Sequence, residues 1–252
     1  MLSFRHVGKG DLQVMVVHGW KTDHRCYEGL FPSLDGDIAT YVFVDQRGYG
    51  KSMELAGPYT VMQVAADMLE LADHLGWRTF HVIGHSMGGK VIQRLMADYP
   101  GRISSAIGIT PCPAAKIPFD AAGWDLFAAA AVSQKKREEI FRLSTADRYT
   151  DSWYHYITGE SVAMSRPEAF RAYLDSWVND DLVSAIAGCT TPIKVIVGRN
   201  DPDLNEEVIR QTYGVWLPNC EIVVLEKCGH YPMLECPLEL AAEIENFLQR
   251  HR

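Results

Sequence analysis

The sequence predicts an α/β fold: a mostly parallel sheet flanked by helices and interrupted by a helical insertion. Three observations predict it. Short apolar runs alternate with stretches that carry apolar residues at helical spacing, the pattern of a parallel sheet covered on both faces. That rhythm stops from about Pro111 to Thr191, where the chain reads as helical and rich in aromatic residues. And Gly84-His85-Ser86-Met87-Gly88 stands between an apolar run and a helical one, where a sharp strand-to-helix turn belongs.

Each element follows in order. Leu2–Val7 alternates enough for a short strand. Leu12–Val17 contains Val14-Met15-Val16-Val17, a run that predicts a strand buried on both faces. Ala39–Val44 is a third strand. Thr60–Leu75 places Val61, Val64, Ala65, Met68, Leu71, Ala72 and Leu75 at helical spacing, and Gly76 closes that helix. Phe80–Ile83 leads into the serine turn, and Lys90–Tyr99 is the helix after it. Ser105–Thr110 is the next strand. Beyond the insertion, Ile193–Val197 and Ile222–Leu225 are strands, and Glu206–Trp216 and Leu238–Arg250 are helices. The insertion, about 80 residues, is longer than an ordinary loop. The domain reading is a core of residues 1–111 and 192–252 with a helical cap of residues 112–191. Ligands of open α/β sheets bind outside the carboxyl ends of the strands. A cap there would cover Ser86 and shape its pocket.

Composition limits the partners. A formal net charge of −8 with 22% charged residues argues against a nucleic-acid surface, which needs a concentrated basic face. Lys135-Lys136-Arg137 is the densest basic run, and Glu138-Glu139 follows at once, so it reads as a solvated helix face. The six cysteines contain no C-x-x-C pair, which weakens zinc and dithiol readings. No apolar run approaches the length that spans a bilayer, and Met-Leu-Ser-Phe-Arg-His has no apolar leader core. The expectation is a soluble cytoplasmic protein with a small-molecule substrate, no membrane or nucleic-acid partner, and an open oligomeric state.

The serine turn carries the chemistry. A hydroxyl is a weak nucleophile at neutral pH and needs a base that a carboxylate orients. His230, in Cys228-Gly229-His230-Tyr231-Pro232, follows the strand Ile222–Leu225 and is the expected base. Asp201, in Gly198-Arg199-Asn200-Asp201, follows the strand Ile193–Val197 and is the expected acid, with Asp203 as its competitor. The order Ser86, Asp201, His230 suits this architecture. The oxyanion of acyl transfer needs two preorganised donors. The amides of Met87 and of Trp20, in His18-Gly19-Trp20-Lys21, are the candidates. His18 reads as structural, and His85 points away from the hydroxyl because neighbours diverge on a sharp turn. The insertion holds many aromatic residues, most of them expected in its own core. Trp124, Trp153, Tyr154 and Trp177, with Met233, are the expected pocket residues.

Val17-His18-Gly19-Trp20, Asp45–Ser52, Gly84–Gly89, Gly198–Asp201 and Gly229-His230 together resemble the α/β-hydrolase family over nearly the whole chain. The resemblance implies the α/β-hydrolase fold with a helical cap after the sixth family strand, and a serine-nucleophile, esterase-like branch without metal or organic cofactor. It implies that Asp45-Gln46-Arg47-Gly48-Tyr49-Gly50 is a structural turn. Gly50-Lys51-Ser52 mimics the end of a phosphate-binding loop, but Asp45 stands where that motif needs glycine. Epoxide hydrolases and dehalogenases of this family use an aspartate nucleophile, so Ser86 speaks against both. Perhydrolases usually carry proline where Lys21 stands. The expectation is a serine hydrolase acting on a small, mostly apolar carboxylic ester or related acyl compound. Two alternatives stay open: a cofactor-free heteroaromatic ring-cleaving dioxygenase, which Gly19–Arg25 with Tyr27 resembles, and a non-catalytic ligand-binding protein.

Overall fold

Alternation within the strands assigns the two faces of the sheet. In the computed structural model, which describes residues 1–252, the strands are β1 (Phe4–Val7), β2 (Leu12–Val17), β3 (Ala39–Val44), β4 (Phe80–His85), β5 (Ile103–Ile109), β6 (Ile193–Gly198) and β7 (Cys220–Leu225). Met15, Val17, Val42, Val44 and Val82 face one apolar layer. Val14, Val16, Tyr41, Phe43 and Ile83 face the other. The strands lie in the order β1-β3-β2-β4-β5-β6-β7. β1 runs antiparallel to β3, and every other pairing is parallel. Their carboxyl ends therefore open on one edge, as expected from the alternating pattern.

Helices cover both faces. α1 (Val61–His74) begins where the Thr60 side chain accepts from the Gln63 amide at 3.1 Å. α2 (Gly88–Asp98) follows β4. The apolar sides of α1 and α2 fill the first layer. α3 (Ala121–Ala129), α4 (Gln134–Ser144), α5 (Asp151–Ala163), α6 (Pro167–Asn179) and the short α7 (Val183–Ile186) all lie between β5 and β6. After β6 come α8 (Glu206–Gln211) and α9 (Tyr213–Trp216), and after β7 come α10 (Pro232–Glu235) and α11 (Pro237–Arg250). α11 buries Leu240, Ala241, Ile244, Phe247 and Leu248 in the second layer.

The helices between β5 and β6 are anchored to both layers. Phe170, Tyr173 and Leu174 of α6 join the first. Phe141 of α4 and Tyr154 and Ile157 of α5 join the second, beside Tyr231 and Met233. Burial of each large apolar side chain stabilises by roughly 1.5–3 kcal/mol, so these contacts seat the insertion firmly against both layers. No helix is long and apolar enough to cross a membrane. All six cysteines are unpaired.

Two sequence expectations need correction. The single helix expected over Glu206–Trp216 is broken at Thr212, whose hydroxyl donates back to the Val208 carbonyl at 2.6 Å while its backbone leaves the helical region. The basic run of α4 is not a solvated face throughout. Lys135 is exposed, but Arg137 is 2% exposed. Its guanidinium lies 3.7 Å from the centre of the Phe170 ring. It donates to the carbonyls of Ala130 and Ser161 and to the Ser165 hydroxyl.

Candidate active site

Ser86 occupies the turn between β4 and α2 with φ of +53°, a conformation that costs a non-glycine residue about 1–3 kcal/mol. Its surroundings enforce the turn. The Ser86 amide donates to Ile109 at 3.1 Å, and its carbonyl accepts from Gly89 and Cys112, each at 2.8 Å. A side chain at Gly84 would place Cβ 2.3 Å from the Gly88 carbonyl oxygen. The small residues are therefore demanded by close approach of strand and helix. Ser86 itself stays partly exposed.

The loops after β6 and β7 bring the acid and the imidazole to this turn. His230 Nε2 lies 3.1 Å from Ser86 Oγ, and His230 Nδ1 lies 2.7 Å from Asp201 Oδ2. The other oxygen of Asp201 accepts from the Asp203 and Leu204 amides, each at 3.0 Å. Burial pushes the Asp201 carboxyl up, but His230 and these amides outweigh it and hold it below the usual carboxylate range. Asp203 is exposed, and it meets this site through the backbone amide that it donates to Asp201. Of the two candidate acids, the imidazole meets Asp201.

The His230 backbone is clamped by His85 and by two groups that the sequence did not single out, Thr110 and Glu235. Its carbonyl accepts from the Thr110 hydroxyl and from His85 Nε2, each at 2.9 Å. His85 is thus turned from the Ser86 hydroxyl toward the His230 backbone. Burial, then the nearby His230, holds the His85 pKa well below that of an ordinary histidine. The amides on either side of His230 are taken by one carboxylate: Gly229 donates to Glu235 at 2.6 Å and Tyr231 at 2.8 Å. Arg148 pairs with the same Glu235. Glu235 opens no motif. The only available signal was its position in the turn after Pro232.

The loop after β2 closes the other side. A Cβ at Gly19 would lie 2.7 Å from His85 Nδ1 and 3.1 Å from Ser86 Cβ, so glycine lets this loop reach the serine. The amides of Trp20 and Met87 donate to no protein acceptor, which leaves both free for an anion. His18 is structural, as expected: its Nε2 accepts from the Gln46 amide at 3.1 Å. The Trp20 indole donates to the Phe170 carbonyl at 2.7 Å and packs against Phe170 at 4.0 Å between ring centres.

The expected pocket residues fall into two groups. Trp177 meets Trp20 at 5.7 Å between ring centres, and its buried indole N–H has no partner. Trp124 joins the same aromatic group through Phe119. Trp153 and Tyr154 pack with each other and with Tyr149, and the Tyr154 hydroxyl is tied to Thr145 at 2.6 Å. Met233 is buried in the layer that contains Tyr154 and Tyr231. His155 is largely exposed, 3.5 Å from Glu138. Asp23, His24 and Asp45 hold possible metal-ligand atoms within 4.8 Å of one another. Those atoms are already engaged: Asp45 accepts from His24 and Lys51, and Asp23 from Arg25.

A mostly parallel sheet, with a strained serine turn facing a His–Asp pair across its carboxyl edge, defines a protein of the α/β-hydrolase fold. The chain belongs to the Alpha/beta hydrolase family, whose model matches residues 14–243. It is 24% identical over 265 residues to a pimeloyl-[acyl-carrier protein] methyl ester esterase from Aeromonas hydrophila, covering 98% of this chain and 99% of that one. It is 24% identical to a 2-hydroxy-6-oxononadienedioate/2-hydroxy-6-oxononatrienedioate hydrolase from a Pseudomonas species, covering 96% of this chain and 90% of that one. Among solved structures it resembles a thermophilic esterase from Thermogutta terrifontis, with TM-score 0.83, 23% identity, and 100% of this chain and 94% of that chain covered. The last likeness is one of fold.

Proposed function

We propose that the protein is a serine hydrolase that cleaves a small, mostly apolar carboxylic ester or related acyl compound through an acyl-enzyme. One observation carries the reading: Ser86 Oγ, His230 and Asp201 form an unbroken row of contacts at 3.1 and 2.7 Å. With Nδ1–H donating to Asp201, Nε2 is left to accept the Ser86 proton. Ser86 Oγ then bonds to the substrate carbonyl carbon, and the Trp20 and Met87 amides donate to the developing oxyanion. The imidazolium returns its proton to the leaving alcohol. Water, deprotonated by His230, releases the acid and restores Ser86. In this reading residues 112–191 are a cap over a core of residues 1–111 and 192–252. A reducing, cytoplasmic setting fits six unpaired cysteines.

The methyl ester esterase among the relatives favours an ester over other acyl compounds. The dioxygenase reading drew on the loop containing His24. That side chain is buried and held by Asp45 at 2.8 Å, which gives it a structural task. A fluorophosphonate probe tests the proposal. It should add one label, recovered on the Ser86 peptide, and Ser86→Ala should lose both label and ester hydrolysis. Full hydrolysis by Ser86→Ala would overturn the acyl-enzyme.

A further inference from the structure

We propose that Lys21, Ser144 and Tyr231 form an anion-holding subsite beside Ser86, which takes a carboxylate carried by the substrate. On the ester-hydrolase reading, on which this rests, the favoured substrates are half-esters of dicarboxylic acids.

The Lys21 ammonium is held in an unusual way. Lys21 is 6% exposed, yet no carboxylate lies within ion-pair distance of it. Its Nζ donates to Ser144 Oγ at 2.7 Å and reaches the Ile140 carbonyl only at 3.5 Å. It sits 4.6 Å over the Phe141 ring and 5.5 Å from the Tyr231 ring. Aromatic faces soften the cost of a desolvated cation but do not replace a counter-ion. The other buried cations of this region are better served. Arg137 is ringed by carbonyls and hydroxyls, and Lys90 donates to the Ala115 and Asp180 carbonyls.

A second, independent vacancy lies beside it. The Tyr231 hydroxyl is buried without a hydrogen-bond partner. A buried hydroxyl without a partner is costly, and this one adjoins a buried ammonium that also lacks a counter-ion. Ser144 Oγ already donates to Ile140 at 2.8 Å and accepts from Lys21. The ammonium thus keeps donor capacity beyond Ser144, and the phenol, whose polar neighbour is the same Ser144, adjoins it. Lys21 follows Trp20, whose amide is a candidate oxyanion donor, and Tyr231 follows His230. The Tyr231 ring lies 5.0 Å from that of His230 and 5.5 Å from Lys21 Nζ, so the pair adjoins the imidazole.

A carboxylate between them would accept from Nζ and from the Tyr231 hydroxyl and would neutralise the ammonium. Burial pulls the Lys21 pKa down to about 7, against the opposing pull of Asp201 and Asp203 and with a further push from Arg137. His85 also faces it. An anion bound there would restore the charged form. One ammonium balances one carboxylate, and so the match is to a monoanion.

The test compares monomethyl adipate with methyl hexanoate, which share a six-carbon acyl chain, by titrating released acid. Wild type should favour the half-ester in kcat/KM by tenfold or more at pH 6.5. Lys21→Met should erase that preference, mainly through KM, and Tyr231→Phe should reduce it several-fold. The preference should also fade as pH rises beyond the Lys21 ionisation. Lys21→Gln carries the same comparison if the methionine variant folds poorly. Equal rates on the two esters in wild type, or an unchanged preference in Lys21→Met, would overturn the subsite. Calorimetry of monomethyl adipate with Ser86→Ala separates the two proposals. Binding lost when Lys21→Met is added supports the subsite even if Ser86 proves unreactive. A labelled Ser86 without binding of the half-ester removes the subsite and leaves the hydrolase.

Discussion

Replacing Asp201 with asparagine tests the proposed acid most sharply, because the structure dictates which way the new amide must turn. One carboxylate oxygen accepts two backbone amides at 3.0 Å, from Asp203 and Leu204. The other faces His230 Nδ1 at 2.7 Å. An asparagine carbonyl must stay with the two amides, since an NH2 there would oppose two donors. Its NH2 then faces Nδ1 and donates to it. That forces the proton onto Nε2, which lies 3.1 Å from Ser86 Oγ, and a protonated Nε2 cannot accept from serine. In serine proteases the wrong tautomer costs about 10⁴-fold in kcat, equivalent to about 5.5 kcal/mol of transition-state stabilisation. We expect Asp201→Asn to lose about 10³–10⁴-fold in kcat with unchanged circular dichroism, and Asp203→Asn to stay within about threefold. Steady-state hydrolysis of a p-nitrophenyl ester measures both. A near-normal Asp201→Asn beside an inactive Asp203→Asn would refute the assignment.

Two further outcomes follow from packing and charge. Gly19→Ala would push Cβ to 2.7 Å from His85 Nδ1 and 3.1 Å from Ser86 Cβ, so kcat should fall at least tenfold with a smaller change in KM, as steady-state kinetics will read. Lys21→Met should raise Tm at pH 6. Lowering a lysine from 10.5 to about 7 corresponds to a ceiling of about 5 kcal/mol for keeping it charged in the folded state. The unfolded chain binds the proton more tightly, so this cost is complete below pH 7 and is relieved as pH climbs toward the unfolded value. The Tm advantage of the variant should therefore shrink by pH 9 in calorimetric scans, and a gap that widens with pH would contradict it.

The sheet was legible because its strands are short, separate apolar runs, and because α1 and α11 show their buried sides as spacing. Ser86, His230 and Asp201 could be found for a related reason: strand ends and chain order locate them without knowledge of distant contacts. What was missed depends on contacts that no motif marks. Thr110 matters through the His230 carbonyl, 120 residues away in sequence, and Glu235 through the amides of Gly229 and Tyr231, which only the bend of its own loop brings to one carboxylate. Arg137 looked solvated beside Lys135 and Lys136. Its burial depends on the Phe170 ring from α6 and on the Ser161 carbonyl from α5. Thr212 lay within a good helical pattern, and only its own hydroxyl bond marks the break.

Two buried charges of the candidate site, Asp201 and Lys21, differ in one respect that links structure to selectivity. Asp201 has every strong partner it can use: an imidazole and two amides, all from the loops after β6 and β7. A saturated carboxylate holds geometry and has little left to offer a ligand. Lys21 is unsaturated, and its best partner, Ser144, belongs to α4 in the insertion. The same helix supplies Phe141 beneath the ammonium. The proposed chemistry thus rests on sheet loops that the sequence exposes as motifs. The proposed selectivity rests on Lys21 and Tyr231, and the environment of the lysine is completed by a helix inserted more than a hundred residues later. A change in α4 could therefore redirect substrate preference without disturbing the row from Ser86 to Asp201. Ser144→Ala is the cleanest expression of that separation, because it removes the hydroxyl that orients Nζ and touches no member of the row.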